Sequence, residues 1–144
     1  MQFVNTVTIQ RPPSEVFAYL AHFENIPRWN YAITETRQTS DGPVGVGTTF
    51  KQRRMLPRPS EETFKVTEFV PDTRVAITGD LGPFEGTLTY QLDAVPGGTR
   101  LTNEADLAGK GFLGIAAPLA TSRIREAVDA NLGELRSILE SRKY

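Results

Sequence analysis

Residues 84–107 read FEGTLTYQLDAVPGGTRLTNEADL, and their alternation decides the fold. Phe84, Leu88, Tyr90 and Leu92 share one parity before the Pro-Gly-Gly break, and Leu101, Asn103, Ala105 and Leu107 share the matching parity after it. The opposite parity, Glu85, Thr87, Thr89, Gln91, Thr102, Glu104 and Asp106, is polar throughout and reads as a solvated face. Side chains repeat every two residues along a strand, so the stretch is a hairpin with one face turned to a core.

Working backwards, YAITETRQ, TTFKQRRML, EETFKVTEFV and RVAITGD are four more strand candidates, closed by SDGPVGVG, PRPS, PDT and LGP. Linkers this short cannot carry the crossover that parallel neighbours need, so the six strands form an antiparallel meander. MQFVNTVTIQ at the start alternates as well, with Phe3, Val7 and Ile9 opposite Thr6, Thr8 and Gln10, and adds a seventh strand at an edge. RPPS then stops that strand, because proline lacks a ladder donor and suits a first helical turn. Val16, Phe17, Leu20 and Ala21 recur at helical spacing to about His22, and FENIPRWN is a second short helical piece. Working forwards, a helix over about residues 112–141 carries an apolar stripe at Leu113, Ala120, Ile124, Val128, Leu135 and Ile138. If continuous it is about 45 Å long, enough to cross the sheet. A sheet covered on one face by helices is an α+β layer arrangement.

The composition narrows the function. Sixteen Lys and Arg against 17 Asp and Glu leave a formal charge of -1, so no bulk field draws nucleic acid. Cysteine is absent and His22 is the single histidine, which excludes disulfides, thiolate chemistry and a multi-histidine metal site. Neither a signal peptide nor an apolar run of membrane-spanning length is evident, so a cytoplasmic location without stable membrane insertion is expected. No GxGxxG, P-loop, HExxH or GxSxG pattern occurs, and GPVGVG has no helix after it to bind a phosphate. No metal site and no cofactor are implied.

The order strand, two short helices, six strands and long helix is similar to the helix-grip fold of the START-like, or SRPBCC, superfamily, in particular its polyketide cyclase/dehydrase branch. The residues that carry the resemblance are RPPSEVFAYLAHFENIPRWN at 11–30, SDGPVGVGTTF at 40–50, VTEFVPDTRVAI at 66–77, GGTRLT at 97–102 and LGELRSILE at 132–140. It covers nearly the whole chain, residues 1–144, as one domain. It implies a seven-stranded curved antiparallel sheet wrapped around the C-terminal helix, with a cavity between them for an apolar ligand. The matching stretches are turn and packing signals, so they speak for fold more than for function.

With such a cavity in view, GFLGIAAPLA at 111–120 reads as a roof of small residues that leaves volume beneath it; the alternative is a loop end followed by a closely packed first turn. The candidate ligand-binding residues are Trp29, Tyr31, Phe50, Phe64, Phe84, Leu88, Tyr90, Asn103, Leu113, Ala116 and Ala120. Asn103 and Tyr90 stand among leucines and would orient a ligand, whereas Trp29 is either a pocket wall or a packing residue. Weaker candidates for proton transfer are Glu68, Tyr90, Arg54 and His22. Parity puts Phe64, Val66 and Glu68 together, and likewise Phe50, Gln52 and Arg54, so Glu68 and Arg54 are expected to meet inside the cavity. The basic QRRMLPR at 52–58 is either solvated or a contact for an anionic group. Three functions remain open at this point: a carrier of a hydrophobic or amphipathic small molecule, a polyketide cyclase-like enzyme using the same cavity, and a co-chaperone-like or stress-response interaction module. Either a monomer or a homodimer is compatible with each.

Overall fold

A computed structural model describes the backbone at residues 1–109 and 113–141, and side chains at 1–109 and 121–141. The order is β1 (Gln2–Ile9), α1 (Pro13–Leu20), a 3-10 turn at Phe23–Asn25, α2 (Ile26–Trp29), β2 (Ile33–Gln38), β3 (Thr49–Arg54), β4 (Ser60–Val70), β5 (Arg74–Leu81), β6 (Phe84–Val95), β7 (Gly98–Gly109) and α3 (Leu113–Ser141). All seven strands form one antiparallel sheet in the order β1-β7-β6-β5-β4-β3-β2. The meander and the edge position of β1 are as the turn signals require.

The β6–β7 hairpin pairs from Phe84↔Gly109 through to Val95↔Gly98 across a two-residue turn at Pro96 and Gly97, where Gly97 takes φ +81°. Leu92, Tyr90, Phe84, Leu101, Asn103, Ala105 and Leu107 are buried, as their parity predicts. Thr89 departs from the reading: it lies on the outer face yet is buried. It sits in mid-sheet between Ala76 and Glu104, and neighbours cover a short side chain in that place. The outer face is further knitted by hydroxyl bonds from Thr78 to Thr67 (3.4 Å) and to Thr87 (2.8 Å).

Pro13 occupies the first turn of α1, and the Pro12 carbonyl accepts from the Glu15 and Val16 amides (3.0 and 3.2 Å). Val16, Phe17, Tyr19 and Leu20 are thereby turned inward. In α3, Asn131, Leu132, Leu135 and Leu139 are buried and Ile124, Val128 and Ile138 partly so. The stripe therefore holds over its second half; Leu113 and Ala120 lie outside the described side chains. Arg11, just past β1, ties down the far end of α3: its Nε donates to the Leu139 carbonyl (3.1 Å) and its Nη2 to that of Glu140 (3.1 Å). A cation there satisfies orphan carbonyls and opposes the negative end of the helix dipole.

Leu132, Leu135 and Leu139 meet Ile9, Leu20, Phe50 and Leu101 in the main core, and a smaller cluster of Phe3, Leu81, Phe84, Ala105 and Leu107 lies towards the other end of the sheet. Leu135 has no exposed surface. Leu135→Ala is expected to cost about 2–5 kcal/mol in denaturant unfolding, the range for a large-to-small change at a site that cannot collapse.

Candidate functional site: the concave face beneath the long helix

The inner face of the sheet is a set of transverse rows, because antiparallel partners stand opposite one another. One row runs Phe3–Ala105–Leu88–Ile77–Val66 and is wholly apolar. A second runs Leu107–Gly86–Gly79–Phe64–Phe50, so two opposed glycines remove side chains from its middle. A Cβ at Gly79 would lie 2.3 Å from the Thr63 carbonyl oxygen, and one at Gly86, where φ is +153°, 2.0 Å from that of Asp106. Only glycine permits such an approach. Phe50 and Phe64 stack at 5.1 Å, and Phe23 packs edge-on against both at 4.9 and 5.7 Å.

A third row, Asn5–Asn103–Tyr90–Val75–Phe69, carries the polarity. Asn103 is 1% exposed, and neither its Oδ1 nor its Nδ2 has a hydrogen-bond partner. Trp29 packs edge-on against Tyr90 at 6.5 Å with its buried Nε1 likewise unpartnered, and on α3 the buried Asn131 Oδ1 is in the same position. Asn5 is anchored through its Nδ2, which donates to the Arg125 carbonyl (3.2 Å) and Asp129 Oδ1 (3.1 Å), while its buried Oδ1 also has no partner. Each buried polar atom left unpaired costs about 1–3 kcal/mol. Burial pushes the Tyr90 phenol well above its ordinary value near 10, so it is a neutral hydroxyl at physiological pH.

At the end of the sheet where β3 turns into β4 lies a second polar group. Glu62 is 3% exposed and accepts four bonds: on Oε1 from Gln52 Nε2 (2.6 Å) and Arg54 Nη2 (2.8 Å), on Oε2 from Arg54 Nε (3.0 Å) and the Gly82 amide (2.6 Å). Thr36 extends the chain by donating to Gln52 Oε1 (3.3 Å). Two carboxylate oxygens offer about four acceptor positions, so the acceptor positions of Glu62 are filled and it holds structure together.

Several of the expected site residues are brought together. Trp29, Phe50, Phe64, Phe84, Leu88, Tyr90 and Asn103 all lie on the concave side, buried or, for Leu88, partly so. Others are corrected. A bulge between Val66 and Glu68 inserts one extra residue, which turns Glu68 to the outer face, where it binds Arg74 at 2.7 Å. Glu68 and Arg54 therefore do not meet, and Arg54 is occupied by Glu62. Tyr31 is 61% exposed because the turn before β2, pinned by Asn30 Oδ1 accepting from the Ala32 amide, pushes it outward. His22 is exposed, 3.9 Å from Glu24, and stands off the concave face. Leu113, Ala116 and Ala120 lie outside the described side chains. Glu62 is the residue the reading missed, although it shares the parity of Phe64 and Val66, which was the available signal.

The family model for polyketide cyclase/dehydrase and lipid transport matches residues 1–140, and the chain belongs to that family. An uncharacterized protein of Mycobacterium tuberculosis is 36% identical over 106 residues, 69% of this chain and 61% of the relative, so the match spans about three-fifths of that relative's length. Among solved structures, a protein of Thermus thermophilus superposes with a TM-score of 0.82 at 15% identity, covering 100% of both chains. The Zhui aromatase/cyclase from Streptomyces sp. R1128 superposes with a TM-score of 0.78 at 13% identity, over 100% of this chain and 96% of its own. At such identities the likeness is one of fold, and it confirms the helix-grip architecture.

Two consequences are measurable. Arg54→Met leaves the Glu62 charge buried without its counter-ion and is expected to cost about 3–5 kcal/mol in urea unfolding. Tyr90, with its folded pKa raised, contributes stability that is full below its unfolded value near 10 and falls away as pH rises beyond it. The stability gap between wild type and Tyr90→Phe should accordingly shift against wild type on going from neutral to strongly alkaline pH.

Proposed function

We propose that this family member binds a hydrophobic or amphipathic small molecule between the concave face and α3. The supporting observation is the pairing of apolar rows with unpartnered buried donors and an acceptor at Asn103 and Trp29, next to the Tyr90 hydroxyl. An apolar wall with a few convergent polar groups is the make-up of a small-molecule site. A bound polar head that pairs with Asn103 recovers free energy that the ligand-free chain forgoes.

The polar groups also say what kind of head fits. Tyr90, Asn103 and Trp29 are neutral, and Glu62 is the one fully buried charged side chain among the described residues, already matched by Arg54. A carboxylate or phosphate beside Asn103 would be desolvated without a counter-charge, which is costly. The ligand is therefore an apolar body with a neutral carbonyl or hydroxyl. Carriage, rather than proton-transfer catalysis, is the reading favoured by a saturated Glu62, an outward Glu68 and an exposed His22.

Nile red, a neutral apolar dye with a carbonyl, should bind one per chain and be displaced by dodecanol far better than by dodecanoate at pH 8. Leu88→Trp should block the dye by filling the apolar row. Asn103→Leu should weaken it by about tenfold, the loss of roughly one hydrogen bond, while leaving the ligand-free protein as stable or more so. Dye binding indifferent to both substitutions sinks the site, and equal competition by dodecanoate sinks the neutral-head specificity.

A further inference from the structure

The basic stretch QRRMLPR has no part in the proposed ligand site. Its residues close the β3–β4 hairpin, and at the tip Met55 and Leu56 are 44% and 48% exposed. Tyr31, 61% exposed, stands beside them, since the Met55 amide donates to the neighbouring Ala32 carbonyl at 2.8 Å. Three large apolar side chains thus project from one corner of the sheet. Among the described residues the remaining exposed ones, Val4, Val46 and Val70, are scattered singly elsewhere.

The charge of the hairpin itself has one sign in excess. From residue 51 to 62, Lys51, Arg53, Arg54 and Arg58 stand against Glu61 and Glu62. Glu62 is consumed by Arg54, while Glu61 is shared loosely between Lys51 (3.9 Å) and Arg53 (3.7 Å). Arg58 is exposed and takes part in no ion pair among the described residues. The tip is also stiffly mounted: the bidentate Arg54–Glu62 pair and the Gly82 amide bind the hairpin base to the β5–β6 turn, so little freedom is left to lose on contact.

We propose that the β3–β4 hairpin tip, with Tyr31 at its side, is a docking surface for an anionic lipid bilayer. Met55 and Leu56 enter the boundary between headgroups and acyl chains, Tyr31 lies at headgroup level, and Arg53 and Arg58 meet lipid phosphates and carboxylates. A chain with net charge -1 has no bulk attraction to such a surface, so the local excess of positive charge on this hairpin orients the approach. The same end of the sheet carries the β5–β6 turn and the end of β7 that leads to α3, since Phe84 pairs with Gly109. Docking there brings the bilayer to the end at which a cargo enters or leaves. The contact is peripheral: no helix among the described residues is long and apolar enough to cross a membrane.

Co-sedimentation of the full chain with vesicles of phosphatidylcholine and phosphatidylserine at roughly 2:1 is the test. Wild type should bind, lose binding as salt is raised, and bind pure phosphatidylcholine much more weakly. Leu56→Asp should lower the partition coefficient by about tenfold or more and Arg58→Glu by several-fold, with unfolding curves unchanged because both side chains are exposed. Absence of binding to anionic vesicles, equal binding to pure phosphatidylcholine, or binding indifferent to both substitutions overturns the proposal. So does capture by polyglutamate in place of vesicles, which would indicate an acidic protein. Asn103→Leu should bind vesicles as wild type does, so failure of the ligand site and failure of the docking surface are read separately.

Discussion

Seven antiparallel strands at about 4.8 Å spacing make a sheet some 29 Å across, and a single helix is only about 10–12 Å wide. One helix cannot cover that face, and this mismatch governs the rest of the molecule. The chain meets it in two ways. At one end α1, the 3-10 turn and α2 add Phe17, Leu20, Phe23, Ile26 and Trp29 to the leucines of α3, and the core closes. Towards the other end the described residues form the smaller cluster around Phe3, Leu81 and Phe84, and the opposed Gly79 and Gly86 take side chains out of the row beside it.

Polar groups are then placed according to what can satisfy them. Glu62 stands where β3, β4 and the β5–β6 turn converge, so a carboxylate that would be expensive alone receives a bidentate arginine, an amide side chain and a backbone N–H. Such a pair adds little net stability over an apolar isostere, but it fixes one geometry for the hairpin that carries it. Asn103 is the contrary case. Its neighbours across the ladder are Asn5, committed to α3, and Tyr90, whose hydroxyl is the one polar atom of a largely apolar side chain.

How much of this was legible in the sequence depended on whether a local period decided it. The 84–107 hairpin, the edge strand and the buried second half of α3 follow from periods of two and 3.6, which neighbours reinforce. Position 68 did not follow: a bulge adds one residue to β4, and counting parity from Phe64 sends Glu68 to the wrong face. Glu62 lies before the bulge and its parity was right, yet a glutamate at an inner position reads as an error until the arginine that neutralises it is known. That arginine was itself assigned to Glu68 by the same miscount. The site was thus visible as a face and invisible as a network, because a face is set by periodicity along one strand and a network by contacts between several.

The unpaired amide of Asn103 on the concave side bears on how the fold and its use are related. A sheet row in which leucine replaces Asn103 would keep the packing and remove two unsatisfied atoms, so stability alone gives no reason for the amide. Trp29 and Asn131 repeat the pattern from α2 and α3, each with one buried polar atom that has no partner. Three elements thus share a deficit of hydrogen bonds. That shared deficit on α2, β7 and α3, with all three groups neutral, is the observation on which the proposal of a bound molecule with an uncharged polar head rests.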